Sequence, residues 1–240
     1  MNTYEQFILE TLEKEFDSVV VFKDAEHSHI ELFRNVSNGK KLVFIKSKNR
    51  NDHIFRRLRG YSHPNLPMIY EVCSCDEYLL ILESFVEGNS LADILKDTTI
   101  STKQAVKYAL QVCEALKLLH SKQIIHRDIK PENIVITPEN KAVLIDLQAA
   151  RLVTDKDASD TVNLGTVGYA APEQFGLHQS IPPTDIYAIG VLLNEMTVNC
   201  HPIIKTPSGK LGKIIKKCTE TGLYNRYQTV EKLIADLKRV

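Results

Sequence analysis

The sequence predicts an α+β fold built as two lobes, a small antiparallel β-sheet lobe followed by a mainly helical one. Three observations carry this. Short β-branched and aromatic runs separated by polar turns crowd residues 18–84, apolar residues at helical spacing dominate after Gly88, and 240 residues suffice for two small cores. The expected division is an N-terminal helix over 1–17, the sheet lobe over 18–87 and the helical lobe over 88–240.

Phe7, Ile8, Leu12 and Phe16 stand at helical spacing, so the chain begins with a short amphipathic helix that packs on the small lobe or docks a partner. The runs Ser18 to Phe22, Ile30 to Arg34 and Lys41 to Ile45 read as three antiparallel strands, the second turn being Ser37-Asn38-Gly39. Ile54, Phe55, Leu58 and Tyr61 form a brief helical pattern, stopped by His63-Pro64-Asn65. Strands follow near Met68 to Val72 and Tyr78 to Glu83, with Cys73-Ser74-Cys75 in the turn between them.

Gly88-Asn89 marks the change to helix. Ser90 to Leu95 is a short helix, and Ser101 caps a long one over Thr102 to His120 with the stripe Val106, Ala109, Leu110, Cys113, Leu116 and Leu119. Small strands are expected at Ile134 to Ile136 and Ala142 to Ile145. Ala149 to Asp185 reads as mostly irregular, and a loop of that length within a domain points to function. Helices at Ile186 to Met196, Leu211 to Cys218 and Val230 to Lys238 complete the lobe.

Composition excludes some classes. A formal charge of zero gives no electrostatic reason to expect nucleic acid as a partner, and the basic run Lys40 to Arg59 reads as a solvated face. Five cysteines without a regular framework imply reduced thiols and a cytoplasmic protein, and Cys73-Ser74-Cys75 lacks a second pair at metal-ligand spacing. No apolar run is of bilayer-spanning length and the acidic N-terminus does not read as a signal peptide, so no membrane partner is expected.

Chemistry concentrates in His126-Arg127-Asp128-Ile129-Lys130-Pro131-Glu132-Asn133, followed after one expected strand by Asp146. Phosphoryl transfer needs aligned attacking and leaving oxygens and cations on the transferred group. Asp128 is the natural acceptor for a hydroxyl proton, Lys130 reaches a terminal phosphate, and Asn133 and Asp146 are the neutral and anionic oxygen ligands that Mg²⁺ takes, with Mn²⁺ as an alternative ion.

These motifs resemble the eukaryotic-type protein kinase domain, from about residue 18 to the C-terminus and most specifically from His126 to Gly190. The resemblance implies a bilobal fold, ATP and Mg²⁺ as cofactors, and a protein substrate with a Ser or Thr acceptor. It implies that Lys46, closing Leu42-Val43-Phe44-Ile45-Lys46, meets the α and β phosphates, and that Glu83, Ser84, Phe85 and Val135 line the nucleotide site. Thr166 matches the threonine that contacts Asp128 and Lys130 in serine/threonine kinases. Arg127 matches an arginine that answers to activation-segment phosphate, for which Thr154, Ser159 and Thr161 are candidate acceptors. Glu173 in Ala171-Pro172-Glu173 implies an ion pair with Arg226, and Asp185 a hold on the catalytic-loop backbone.

The small lobe departs from the family. The first hairpin, Lys23-Asp24-Ala25-Glu26-His27-Ser28-His29, has no glycine to bring backbone N–H groups against phosphates, and its two carboxylates repel them. Phe44 replaces the small residue against which adenine packs, and Ile54 stands where the family has the glutamate that pairs with the strand lysine. A gapless match puts Glu83 at the gatekeeper position, from which it is expected to hold Lys46; a rival register makes it the ordinary hinge glutamate. Asp146-Leu147-Gln148 replaces Asp-Phe-Gly, and the short interval from Met196 to Leu211 reduces a substrate-docking helix. Two readings stand: a minimal serine/threonine kinase without the Gly-rich loop and helix glutamate, or a catalytically impaired pseudokinase acting through protein contacts, with a regulatory partner.

Overall fold

The computed structural model describes residues 3–48, 51–75, 77–96, 98–153, 166, 168–175 and 179–240. The chain divides into two units, Met1–His63 with Pro67–Val86, and Pro64–Leu66 with Glu87–Val240. The fold is α+β and bilobal, an antiparallel sheet in the first unit and mostly helices in the second.

In the first unit, helix α1 (Thr3–Glu15) precedes strands β1 (Phe16–Ala25), β2 (Ser28–Asn35) and β3 (Lys41–Ser47), then helix α2 (Asp52–Leu58) and strands β4 (Ile69–Ser74) and β5 (Leu79–Ser84). The sheet order is β1-β2-β3-β5-β4 with every pair antiparallel. Gly39 takes φ +71° in the β2–β3 turn, where Asn35 and Lys40 close the hairpin.

Several expected boundaries move. The β1–β2 ladder runs down to Ala25 opposite Ser28, so only Glu26 and His27 turn, and the expected seven-residue loop is a two-residue one. Tyr61 is outside α2, because Arg59 is extended and bridges Ile69 while Gly60 reverses at φ +77°. Cys73 and Ser74 belong to β4 rather than to a turn. On α1, Ile8 and Leu12 are buried but Phe7 is 63% exposed, and Phe16 begins β1.

The register decides what each sheet face carries, because directly opposed residues share a face and successive ones alternate. Leu42, Phe44, Leu80 and Cys73 pack with Ile8 and Leu12, so α1 covers this face; Lys46, opposite Leu80, shares it. The other face carries Val43 opposite Glu83, Ile45 opposite Ile81, and Ser74 opposite Leu79. The Ser74 hydroxyl donates to Asp52 at 2.9 Å and accepts from Arg56 at 3.0 Å, which ties this second face to α2.

In the second unit, β6 (Asn89–Ser90) leads into α3 (Leu91–Leu95), then α4 (Thr102–Ser121), β7 (Ile124–Ile125), β8 (Ile134–Ile136), β9 (Ala142–Leu144) and β10 (Arg151–Leu152). Helices α5 (Pro182–Val198), α6 (Gly209–Cys218) and α7 (Val230–Leu237) follow. Ser90 and Ser101 cap α3 and α4, accepting from the backbone of Asp93 and Gln104. Val106 and Leu110, expected on the buried stripe of α4, are only half-buried, because the core face centres on Ala105, Ala109, Val112 and Leu116. Helix α5 starts earlier than expected, on Pro182-Pro183, whose fixed φ suits a first turn, and ends on Asn199 in the left-handed region at φ +50°. Among the described residues no helix is long and apolar enough to cross a membrane.

Candidate active site

The segment after β7 owes its shape to Asp185 on α5. The fully buried carboxylate accepts from the backbone N–H groups of His126 at 2.9 Å and Arg127 at 2.8 Å, and pairs with His120 Nε2 at 2.8 Å. Burial alone would raise the Asp185 carboxyl, but the His120 hydrogen bond, the His120 and His126 rings and the Arg127 N–H together hold it below the usual aspartate range. Arg127 turns the chain at φ +71°, and its carbonyl accepts from Gln174 at 2.9 Å. Burial lowers the His126 imidazole, against the nearby Asp185, Asp146 and Asp128, which act to raise it.

Beyond that turn four of the expected residues meet. One Asp128 oxygen accepts from the Thr166 hydroxyl at 2.8 Å; the other lies 2.9 Å from Lys130 Nζ and accepts from Asn133 Nδ2 at 2.9 Å. Lys130 Nζ also donates to Thr166 at 2.8 Å. Burial pushes the Asp128 carboxyl up, but the hydrogen bonds from Lys130 and Thr166, the lysine charge and the Asn133 amide hold it below the ordinary range. It is therefore a carboxylate, able to accept a hydrogen bond from a hydroxyl. Because the Asn133 nitrogen faces Asp128, the amide oxygen is the end left for a cation. Asp146 sits at φ +66°, oriented by the Gln148 N–H at 2.9 Å, and Leu147 beside it is buried. The oxygens of Asn133 and Asp146 are the hard donor set that Mg²⁺ takes. Val135 lies on β8, half-buried, between Ser90 and Val143.

The same unit forms the expected ion pair. Arg226 Nη1 and Nη2 donate to the two Glu173 oxygens at 2.8 and 2.9 Å, both side chains being buried.

In the first unit, Lys46 Nζ lies 4.0 Å from the Tyr78 ring centroid on the α1 face. The expected Glu83–Lys46 pair is thereby corrected. The register sets the two residues on opposite faces, with Glu83 opposite Val43 on the α2 side. Ser84 accepts from the Met68 N–H at 2.9 Å, and Phe85 stacks on Phe22 with centroids 6.4 Å apart. The hairpin carboxylates have side-chain partners in the same unit. His29 bridges Asp24 at 3.1 Å and Glu31 at 3.0 Å, which raises its imidazole, and Glu26 lies 3.5 Å from Lys48.

A family model described as Protein kinase domain matches residues 12–237. This chain belongs to the protein kinase family. It is 30% identical over 229 residues to the serine/threonine-protein kinase PrkC of Bacillus subtilis, covering 82% of this chain and 35% of that protein. A probable serine/threonine-protein kinase of Clostridium perfringens is 28% identical over 232 residues, covering 83% and 34%. The human serine/threonine-protein kinase PAK 4 is 28% identical over 211 residues, covering 85% and 36%. The chain thus spans about a third of the length of these relatives.

Kinase-domain residues that the sequence did not single out are the supports of the turn. His120 faces Asp185 from the end of α4, and Gln174 holds the Arg127 carbonyl; neither stands out by type or spacing. Asn65, read as a helix stop, donates to the Ala142 carbonyl at 2.8 Å and accepts from the Leu144 N–H at 3.0 Å. The candidate phosphate acceptors Thr154, Ser159 and Thr161 lie outside the described residues.

Proposed function

We propose that this kinase domain transfers the γ-phosphate of ATP to a Ser or Thr hydroxyl of a protein substrate. The observation that carries the reading is the Asp128–Lys130–Thr166–Asn133 network, in which a carboxylate is held unprotonated beside a lysine. The acceptor hydroxyl donates to Asp128, which aligns its oxygen and takes the proton as the oxygen attacks. Lys130 neutralises charge on the transferred group, and Thr166 fixes Asp128 and Lys130 relative to each other, the contact that the family resemblance ties to Ser/Thr acceptors. Asn133 and Asp146 would hold Mg²⁺, or Mn²⁺, which supplies charge neutralisation at the phosphate oxygens when bound. Glu83, Ser84, Phe85 and Val135 are proposed as nucleotide contacts. The proposed division is a helix over 1–17, a small lobe over 18–87 lacking the Gly-rich loop and helix glutamate, and a large lobe over 88–240. The five free cysteines support a reducing, cytoplasmic setting.

Lys46 is left out of that set. In the family the strand lysine pairs with a glutamate of the following helix, yet here Lys46 shares its face with α1, opposite the face tied to α2, and Ile54 replaces the glutamate. This observation favours a second reading, a catalytically impaired domain acting on a protein partner.

Transfer of labelled γ-phosphate from Mg-ATP to the protein and to a generic basic substrate, with Asp128→Asn in parallel, separates the two. The kinase reading expects label in the parent and none in Asp128→Asn. No label in either, at saturating ATP with several acceptors, establishes the second reading.

A further inference from the structure

Between α5 and α6 the chain holds two adjacent isoleucines in water, Ile203 at 86% exposure and Ile204 at 76%. The segment carrying them is closed and seated. Asn194, buried on α5, donates from Nδ2 to the Cys200 carbonyl at 2.6 Å and to the Lys205 carbonyl at 2.8 Å, drawing both ends of the loop to one side chain. Inside it, Ile204 N donates to the His201 carbonyl at 2.9 Å. The following residues pack so tightly on α6 that a Cβ on Gly212 would lie 1.8 Å from the Pro207 carbonyl oxygen. The isoleucines are therefore the tip of an anchored loop.

In the sequence around this tip the charge has one sign, while in space Asp236 stands at its edge, accepting from the Tyr227 hydroxyl beneath Lys217 and pairing with Arg239. Between Glu195 and Glu220 the sequence holds Lys205, Lys210, Lys213, Lys216 and Lys217 and no Asp or Glu, in a chain whose formal net charge is zero. On α6 the lysines form one exposed stripe, opposite the buried Leu211, Ile214, Ile215 and Cys218. Lys210 reaches the Arg239 carbonyl and Lys217 lies over the Tyr227 ring; among the described residues none of the five makes an ion pair. The cations are all lysine and none is arginine. Lysine is a compact, mobile point charge suited to a diffuse anionic surface, whereas bidentate recognition of single carboxylates or phosphates favours arginine.

We propose that this face docks on an anionic phospholipid surface, with Ile203 and Ile204 entering the boundary between headgroups and acyl chains and the α6 lysines lying against the headgroups. The proposed contact is a surface one, which needs no spanning helix. The sequence-based expectation of no membrane partner rested on the lack of a spanning run, which a surface contact does not need. The inference is independent of phosphoryl transfer.

Flotation of the chain with phosphatidylcholine vesicles, with and without phosphatidylserine, tests it. The expected result is binding only to vesicles containing phosphatidylserine, lost in high salt. Binding should fall at least about tenfold in Ile203→Asn/Ile204→Asn and in Lys213→Glu/Lys216→Glu, with melting temperatures unchanged because all four side chains are exposed. Equal binding to neutral vesicles, no binding to either, or undiminished binding of the isoleucine variant overturns the proposal. So does capture by polyglutamate without vesicle binding, which would assign the face to an acidic protein.

Discussion

Asp185 is charged and buried only because three donors surround it, and removing its charge leaves those donors facing a poorer acceptor. Asp185→Asn should cost roughly 3 kcal/mol or more, measured by urea unfolding near neutral pH. Its folded carboxyl lies below the unfolded value, so the stabilisation is present above the unfolded pKa of about 4 and is lost as pH falls through the folded value. The gap between parent and variant should therefore begin to narrow as pH falls below about 4 and close only below the folded value; a gap that stayed constant across that fall would mean that the charge is not the cause. Lys46 makes the opposite case. The tetrapeptide that ends in it matches a family motif, yet strand alternation turns it toward α1 and the Tyr78 ring. Lys46→Met should leave nucleotide affinity within about threefold of the parent, as read by equilibrium titration. A hundredfold loss would show that Lys46 serves the phosphates after all.

At the scale of elements, local pattern was legible and pairing was not. The apolar stripe and Ser101 announced α4, and β-branched runs announced all five strands of the first unit, because each signal lies within a few residues. The two-residue turn at Glu26-His27 was hidden, since nothing in Lys23 to Ala25 distinguishes a charged strand end from a loop; His29 between Asp24 and Glu31 makes that end a ladder. The face that carries Lys46 was hidden for the same reason, because register depends on the partner strand. Gly88 is another example: the sequence marks a boundary there, and the structure supplies its constraint. It takes φ +151°, and a Cβ would lie 2.2 Å from the Ile136 carbonyl oxygen and 2.9 Å from Val135 Cγ1. Gly88→Ala must therefore shift the β6–β8 pairing, at a cost of about 1–3 kcal/mol. Urea unfolding should show this loss; an unchanged midpoint would mean that β6 moves without penalty.

For the whole molecule, the two units differ in how closely they keep the family pattern, and this decides where ligand-linked stability should arise. The second unit holds Asp128, Lys130, Asn133 and Thr166 in one network and orients Asp146 through a left-handed backbone, whereas the first has neither a glycine in its β1–β2 turn nor a glutamate at Ile54. The residues proposed for catalysis and metal binding were visible as a group in the sequence because four of them fall within 19 positions, Asp128 to Asp146, before their geometry was known. Their supports, His120 and Gln174, come from other elements and needed the fold. If the metal and nucleotide are held mainly by the second unit, Mg-ATP should raise the melting temperature, and Asp146→Asn should abolish most of that shift. At a hundredfold excess over Kd, linkage gives about 2.7 kcal/mol, a rise of roughly 5–10 °C for a chain of this size. Calorimetry with Mg-ATP, with ATP plus chelator and with Asp146→Asn measures it. A shift that survives in both the chelated sample and the variant would place binding on the first unit instead, and with it the source of whatever activity the protein has.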